Sequence, residues 1–328
     1  MLIYQGVNIT TDVSSMVTGI TYFDVLEGGA GEIEVELEDH QQLWQGAWSP
    51  QLGDNVTLLL GYEGDALLPC GNFQIDEVEL SGPPDTVHLR CLEAWITPAM
   101  RTRNSLGYED QTLPEIAATI ARKYALTVIG VDNSPNVAFE RVTQRQETDL
   151  EFLRRLAKAQ GYDFTVRGTQ MVFYAISALE SAAPALELGR SDVLGFGFIS
   201  KTHEMFKDAQ VSYQQPSAKQ LITQSLSGTP LPPTGDTVKL VERCENSAQA
   251  LLKAQSLLHE LNSRQRTASV TTPGSTRLAA GNVITLSGFG VNDGSYLIEV
   301  ARHRLTRSTG YTTEVAAREL GFSTTSVV

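Results

Sequence analysis

Gly71-Asn72-Phe73-Gln74-Ile75-Asp76-Glu77-Val78 decides the fold, because its pattern returns far downstream as Gly294-Ser295-Tyr296-Leu297-Ile298-Glu299-Val300. Both read glycine, any residue, aromatic, any residue, isoleucine, acid. The residues before each copy also match. Gly53-Asp54-Asn55-Val56-Thr57-Leu58 through Gly61 is echoed by Gly281-Asn282-Val283-Ile284-Thr285-Leu286 through Gly288. Further on, Asp85-Thr86-Val87-His88-Leu89-Arg90 corresponds more loosely to Tyr311-Thr312-Thr313-Glu314-Val315-Ala316. Each copy reads as strand, tight turn, strand, turn, strand, with β-branched and aromatic residues alternating against polar ones. Asn292-Asp293-Gly294 is a hairpin signal, since such turns need a positive φ. A match in order over three consecutive segments predicts a duplicated β module.

The 328 residues suffice for two or three domains with their own cores. Charged residues make up 19%, a globular composition. No apolar run approaches the ~20 residues of a membrane helix. The start, Met1-Leu2-Ile3-Tyr4-Gln5-Gly6, lacks the basic and apolar regions of a signal peptide, so folding in the cytoplasm is expected. Cys70, Cys91 and Cys244 have no metal-type spacing, and an odd count in a reducing compartment favours free thiols. The net charge of −13 is unevenly spread. The first hundred residues carry 16 of the 38 acids but one of the 25 bases, Arg90; the rest is close to neutral. An acidic first module argues against nucleic-acid binding and against docking on an anionic membrane.

Residues 1–98 read as all-β. Gly19–Val25 is expected to pair, through Glu27-Gly28-Gly29-Ala30-Gly31, with Glu32–Glu38. That second strand alternates strictly, with Ile33, Val35 and Leu37 toward a core and Glu32, Glu34, Glu36 and Glu38 on the other face. Stacked like charges repel, so this face should meet water or basic partners; it is a candidate lining for a water-filled channel. Asp39–Trp44 reads as a short helical turn. Trp44, Trp48 and Trp95 read as packing residues, since no basic residues surround them. Pro98 and Arg101-Thr102-Arg103-Asn104-Ser105 mark a boundary. Residues 99–180 then form a small α+β module. Thr112-Leu113-Pro114-Glu115 opens one helix, and Thr148-Asp149-Leu150-Glu151 opens a second. Leu150, Leu153, Leu156 and Ala157 face inward, and Gly161 supplies a left-handed stop. A strand at 126–129, another near 137–142 and a hairpin across Gly168-Thr169 complete it. Residues 181–328 return to β structure, with an exposed loop at 214–236 and a helix at 247–261 carrying Leu251, Leu252, Leu258 and Leu261.

No catalytic constellation stands out. His40, His88, His203, His259 and His303 are scattered without a metal-binding pattern. His88 and His303 lie in strands, where packing is expected. Asp39-His40 has no nucleophile motif beside it. Gly288-Phe289-Gly290 sits in a hairpin and not between strand and helix, so it reads as a turn and not a phosphate loop. No catalytic residue, metal or cofactor is expected.

The stretch Glu147–Ala157 through Gly161-Tyr162-Asp163-Phe164, with Gly294–Ile298, Val300, His303 and Gly310-Tyr311-Thr312-Thr313, resembles the phage late control gene D protein family. Those proteins are baseplate hubs of contractile-tailed phages and R-type pyocins, similar to the N-terminal part of VgrG. The resemblance implies an α+β, mainly β chain: a first tube-type β-barrel domain at 1–98, the middle domain at 99–180 and a second tube-type barrel at 181–328. It implies a homotrimer whose six near-equivalent barrels adapt a hexameric tail tube protein to a trimeric central spike protein, among other baseplate proteins. It also implies a place in a virion or tail particle assembled in the host bacterial cytoplasm. Relative to VgrG, the sequence stops at Val328 without β-helical repeats, so a separate spike polypeptide is expected. Two other classes remain: a tail-associated peptidoglycan hydrolase, and a glycan- or receptor-binding module using exposed Trp44 and Trp48.

Overall fold

The computed structural model describes residues 1–26, 31–93, 100, 102–131, 138–167, 169–203, 205–215, 220–229, 235–241, 244 and 247–326. In chain order, β1 (Leu2–Tyr4), β2 (Val7–Asn8), α1 (Thr10–Val13), β3 (Val17–Val25), β4 (Glu32–Glu38), β5 (Asn55–Leu60), β6 (Leu68–Ser81) and β7 (Thr86–Glu93) come first. They are followed by β8 (Arg103–Gln111), α2 (Leu113–Lys123), β9 (Thr127–Ile129), β10 (Phe139–Thr148), α3 (Asp149–Lys158), β11 (Tyr162–Arg167), β12 (Gln170–Ala175) and α4 (Ile176–Glu180). Then come β13 (Leu186–Gly189), β14 (Gly195–Ser200), β15 (Asp208–Gln215), β16 (Gln220–Thr229), β17 (Thr237–Val241) and α5 (Ser247–Asn262). The chain finishes with β18 (Arg266–Pro273), β19 (Val283–Ser287), β20 (Gly294–Thr306), β21 (Gly310–Glu319) and β22 (Ser323–Ser326). Two compact units result. The first comprises Met1–Ile96, Ala183–Gly197 and Ala268–Ala317; the second comprises Thr97–Ala182, Phe198–Thr267 and Arg318–Val328.

The first unit is built on one long sheet, ordered β14-β18-β21-β20-β3-β4-β7-β6-β5-β1-β2, with β19 beside β20 and β13 beside β19. Both sequence cassettes lie in it and are geometrically alike. In the first, Val56 pairs with Phe73, Thr57 with Asn72 and Leu58 with Gly71. In the second, Ile284 pairs with Tyr296, Thr285 with Ser295 and Leu286 with Gly294. Ahead of each, a glycine with φ of +90° (Gly53) or +88° (Gly281) turns its N–H to the carbonyl of the cassette isoleucine. Those bonds, Gly53 N to Ile75 O and Gly281 N to Ile298 O, measure 2.8 and 2.9 Å. A side chain there would meet the left-handed penalty of about 1–2 kcal/mol. Past the isoleucine the inward positions jump by three residues, from Ile75 to Val78, where the β6–β7 register shifts. The second copy makes the same step between the buried Ile298 and Ala301.

The cassettes are joined edge to edge. β20 runs antiparallel to β3, from Val300 opposite Val25 to Thr306 opposite Gly19. Beneath this joint the rings of Tyr22 and His303 stack at 5.8 Å, and Asp24 accepts a 2.9 Å bond from the Ala280 N–H. His303 is fully buried; its Nδ1 lies 2.8 Å from the Tyr311 hydroxyl and 3.2 Å from that of Thr313.

In the second unit, each predicted capping box is present. Thr112 N–H donates to Glu115 at 2.8 Å; Thr148 N–H donates to Glu151 at 2.8 Å while Glu151 N–H returns a 3.2 Å bond. Helices α2 and α3 bury Ile116, Ile120, Phe152, Leu153 and Leu156 over the β11–β12 hairpin and β9. Asp149 at the start of α3 is 1% exposed and accepts from Lys123 (2.7 Å), Tyr124 (2.7 Å), Gln144 (2.9 Å) and Asn104 (3.0 Å). Burial raises its pKa, but these donors outweigh it and hold the carboxyl below its usual value. Gly161 follows α3 with φ of +75°, as expected.

The mainly β, α+β class stands, but the described residues close neither cassette into a barrel: β3 continues into β20, and β1 ends beside β2 and β5. The loop expected over 214–236 is interrupted by β16, which pairs along its length with β15; 216–219 and 230–234 lie outside the described residues. The polar run 101–105 leads into β8, part of a two-stranded ribbon with β10. Both faces of β8 are largely polar and Tyr108 alone is buried, so no alternation marks it. Helix α5 spans the predicted residues but turns Ala250, Ala254 and Leu258 inward, leaving Leu251, Leu252 and Leu261 half-buried. Residues 39–44 form turns and no helix. The turn residues 27–30, Trp95 and Pro98 lie outside the described residues.

Two measurements test this packing. Asp149→Ala strands donors that burial keeps from water, so chemical denaturation should show a loss of about 3 kcal/mol. Thr148→Ala, which removes one cap bond, should cost about 1 kcal/mol. Burial holds the His303 pKa below the ordinary 6.5, against a smaller upward pull from Asp24. The unfolded chain therefore takes up the proton first, and stability falls as pH drops below about 6.5, by at most about 1.4 kcal/mol per pH unit. Thermal midpoints between pH 7.5 and 5.5 should decline, and His303→Gln should flatten that decline.

Candidate assembly face of the long sheet

The four predicted glutamates lie together on β4, on the face opposite the core, while Ile33, Val35 and Leu37 are at most 1% exposed. Strand alternation places them there. β4 lies between β3 and β7, so each glutamate has neighbours on both sides. Glu34 stands between Thr21 and Arg90, Glu36 between Gly19 and His88, and Glu32 between Phe23 and Leu92. The missing side chain at Gly19 leaves the space that the Glu36 carboxylate takes; a Cβ there would stand 3.0 Å from it.

The expected wall of carboxylate is interleaved with base. Arg90 grips Glu32 through two bonds of 2.5 and 3.0 Å, and this partner raises the arginine pKa further. Arg307 reaches Glu38 at 2.9 Å, and His40 lies 3.3 Å from the same carboxylate. On β20, Arg302 lies over the Phe23 ring at 5.2 Å and 3.9 Å from Glu314, and Arg304 pairs with Thr21 in the next row. On the far side, β6 adds Glu77 beside Arg90 and Glu79 beside His88. The face is thus acid-rich but laced with arginine. Arg302, Arg304 and Arg307 were missed from sequence because they join β4 only through the β3–β20 joint. The available signal was the alternation Arg302-His303-Arg304, which places arginines on one face and a buried histidine on the other.

The other singled-out residues do not converge. Asp39 is buried and accepts from the Trp44 N–H, whereas His40 is exposed and turns to Glu38. Trp44 is 7% and Trp48 40% exposed, packed edge to face at 5.7 Å; they offer one exposed indole, not two. They border a cavity of about 300 Å³ lined by Leu2, Val35, Leu37 and Leu89. Cys70, Cys91 and Cys244 are buried free thiols. Among the described residues no group of three or more His, Cys, Asp or Glu could hold a metal ion, and no helix is long and apolar enough to cross a membrane.

Known proteins are similar to this chain in sequence or in fold. The probable baseplate hub protein of Escherichia phage 186 is 30% identical over 196 residues, 58% of this chain and 50% of that protein. That of Escherichia phage P2 is 28% identical over 196 residues. The chain thus spans about half the length of these relatives. Among solved structures, a 43 kDa tail protein of prophage MuSo2 from Shewanella oneidensis superposes with a TM-score of 0.71 at 16% identity, over 92% of this chain and 94% of that one. A type VI secretion system component from E. coli superposes with a TM-score of 0.59 at 16% identity, over 93% and 74% of the two chains. At such identities the likeness is one of fold. The family model of the phage tail baseplate hub (GPD) matches residues 50–309, so the chain belongs to the phage tail baseplate hub family.

Proposed function

We propose that this chain is a structural adaptor: three copies form a ring at the tail baseplate, joining a sixfold tail tube to a threefold central spike. The observation that carries this is the pair of cassettes with the same pairing and the same positive-φ glycine, fused side by side in one sheet. Two equivalent units per chain, taken three times, present six, as a threefold-to-sixfold adaptor requires. In this reading the cassettes are the cores of two tube-type modules, at 1–98 and 181–328, with residues 99–180 as the middle module. Its partners are two further copies, a tail tube protein, a central spike protein and other baseplate proteins. Its place is a tail particle assembled in the bacterial cytoplasm.

The β4 face supplies the ring's lumen. Glu34 and Glu36 stand on it without a bidentate arginine of their own, and an acid-rich wall repels nucleic-acid phosphates so that they slide past instead of sticking. The adaptor works mechanically and needs no catalytic group. Sedimentation of the purified chain with its spike protein should give a trimer at micromolar concentration, and electron-microscopic images should show a central hole lined by β4. A monomer under those conditions counts against the ring; a trimer with Glu34 and Glu36 on its outer wall overturns the lumen.

A further inference from the structure

The two cassettes are alike, yet their edges are used differently. In the second, the first half of β20 pairs with β19, and its second half, beyond the step at Glu299, is covered by β3. In the first, β6 pairs with β5 only as far as Gln74. Beyond the matching step, no strand among the described residues covers the corresponding edge of Asp76–Ser81. The first cassette lacks the partner that the second has.

The chain carries a strand of the missing kind. Going outward from β7 the sheet runs β4 then β3; going outward from β21 it runs β18 then β14. The Leu194 N–H bonds Thr271 O at 2.7 Å and the Lys201 N–H bonds Gln265 O at 2.9 Å, so β14 is antiparallel to β18 as β3 is to β4. The sequences agree as well: Gly19-Ile20-Thr21-Tyr22-Phe23 corresponds to Gly195-Phe196-Gly197-Phe198-Ile199. β14 is the last strand of the sheet's path, and it carries large apolar side chains into solvent, with Phe196 44% and Ile199 65% exposed. A long apolar edge is an association site unless something covers it.

We propose that β14 of one copy of this chain docks, antiparallel, on the Asp76–Ser81 edge of β6 of a second copy, in the register by which β3 docks on β20. This rests on the ring reading above and gives it an interface. Carrying the β3–β20 register across sets Glu77 opposite Lys201, Glu79 opposite Ile199, Leu80 opposite Phe198 and Ser81 opposite Gly197. Two of these pairings are favourable. Glu77 meets an opposite charge, and Leu80, 50% exposed in the single chain, meets an aromatic ring where His303 meets Tyr22 inside the chain. The contact is head to tail, so each copy offers one free edge of each kind, and the assembly is a ring where the rotation from copy to copy closes, as the ring reading requires. Three joints within chains then alternate with three between chains.

Directly opposed strand residues have Cα atoms about 4.5–5.5 Å apart, within disulfide reach. The double variant Glu79→Cys with Ile199→Cys, oxidised as the intact chain, should migrate without reductant as covalent dimers and trimers, and each single variant should not. The off-register pair Glu79→Cys with Gly197→Cys, some 7–8 Å apart, should cross-link several-fold less. A charge exchange provides the second readout. Glu77→Lys and Lys201→Glu should each weaken trimerisation by roughly threefold per joint, and the two together should restore it. A chain that sediments as a trimer, yet neither cross-links nor responds to the exchange, overturns this interface and leaves the ring standing. A chain that stays monomeric in every variant overturns both.

Discussion

The backbone ladder between β20 and β3 is the constraint on which the first unit depends. It links residues far apart in sequence, from Val300 with Val25 to Thr306 with Gly19, and it turns two cassettes into one sheet. Its register cannot drift. Side chains alternate across a strand, so a slip of one residue would drive Arg302 and Arg304 into the core and push His303 out. The interior enforces the same choice, because the Tyr22–His303 stack and the Asp24 bond to the Ala280 N–H form in one register only. Local signals locate the strands; this long-range pairing decides which of them become neighbours.

Much of that architecture was legible because its causes are local. A glycine ahead of the strand, and an aromatic and an isoleucine two residues apart within it, are sequence features, and they marked both cassettes; the step after them emerged only in the structure. The capping boxes at Thr112 and Thr148 were equally readable, since two hydrogen bonds within four residues define each one. What escaped lacked a period. β8 shows almost no buried face, and the Gln- and Ser-rich composition of 214–236 hid β16. In α5 the leucines recur at helical spacing, but the alanines pack closer to the sheet, and periodicity alone does not say which stripe wins. The candidate face was half-legible. The four glutamates were visible from their alternation, whereas Arg307, just past the end of β20, reaches Glu38 across the joint and needed that joint to be known.

That interleaving changes the electrostatics. Four carboxylates in one strand, one every second residue, would repel across about 7 Å, and an isolated strand of this kind would resist folding. Arg90 relieves Glu32 and Arg307 relieves Glu38. The middle pair, Glu34 and Glu36, keeps its charge facing outward, so the repulsion that remains is directed at whatever approaches the face. Because the ion pairs are exposed, they contribute little to stability. Their effect is to set the pattern of potential on the face.

Comparing the two cassettes shows which residues are spent on folding and which on the surface. The inward residues of β4, namely Ile33, Val35 and Leu37, have buried counterparts on β18 in Ala268, Val270 and Thr272. The outward residues do not correspond in character. Glu32, Glu34, Glu36 and Glu38 stand where β18 presents Thr267, Ser269, Thr271 and Pro273. The backbone repeats and the charge does not. In the proposed ring of three chains, equal backbones would give six similar positions toward a sixfold partner, while the charge would alternate between acidic and neutral walls and so keep threefold symmetry. The proposed adaptor would satisfy both symmetries because the repeated core and the unrepeated charge lie on opposite faces of the same strands.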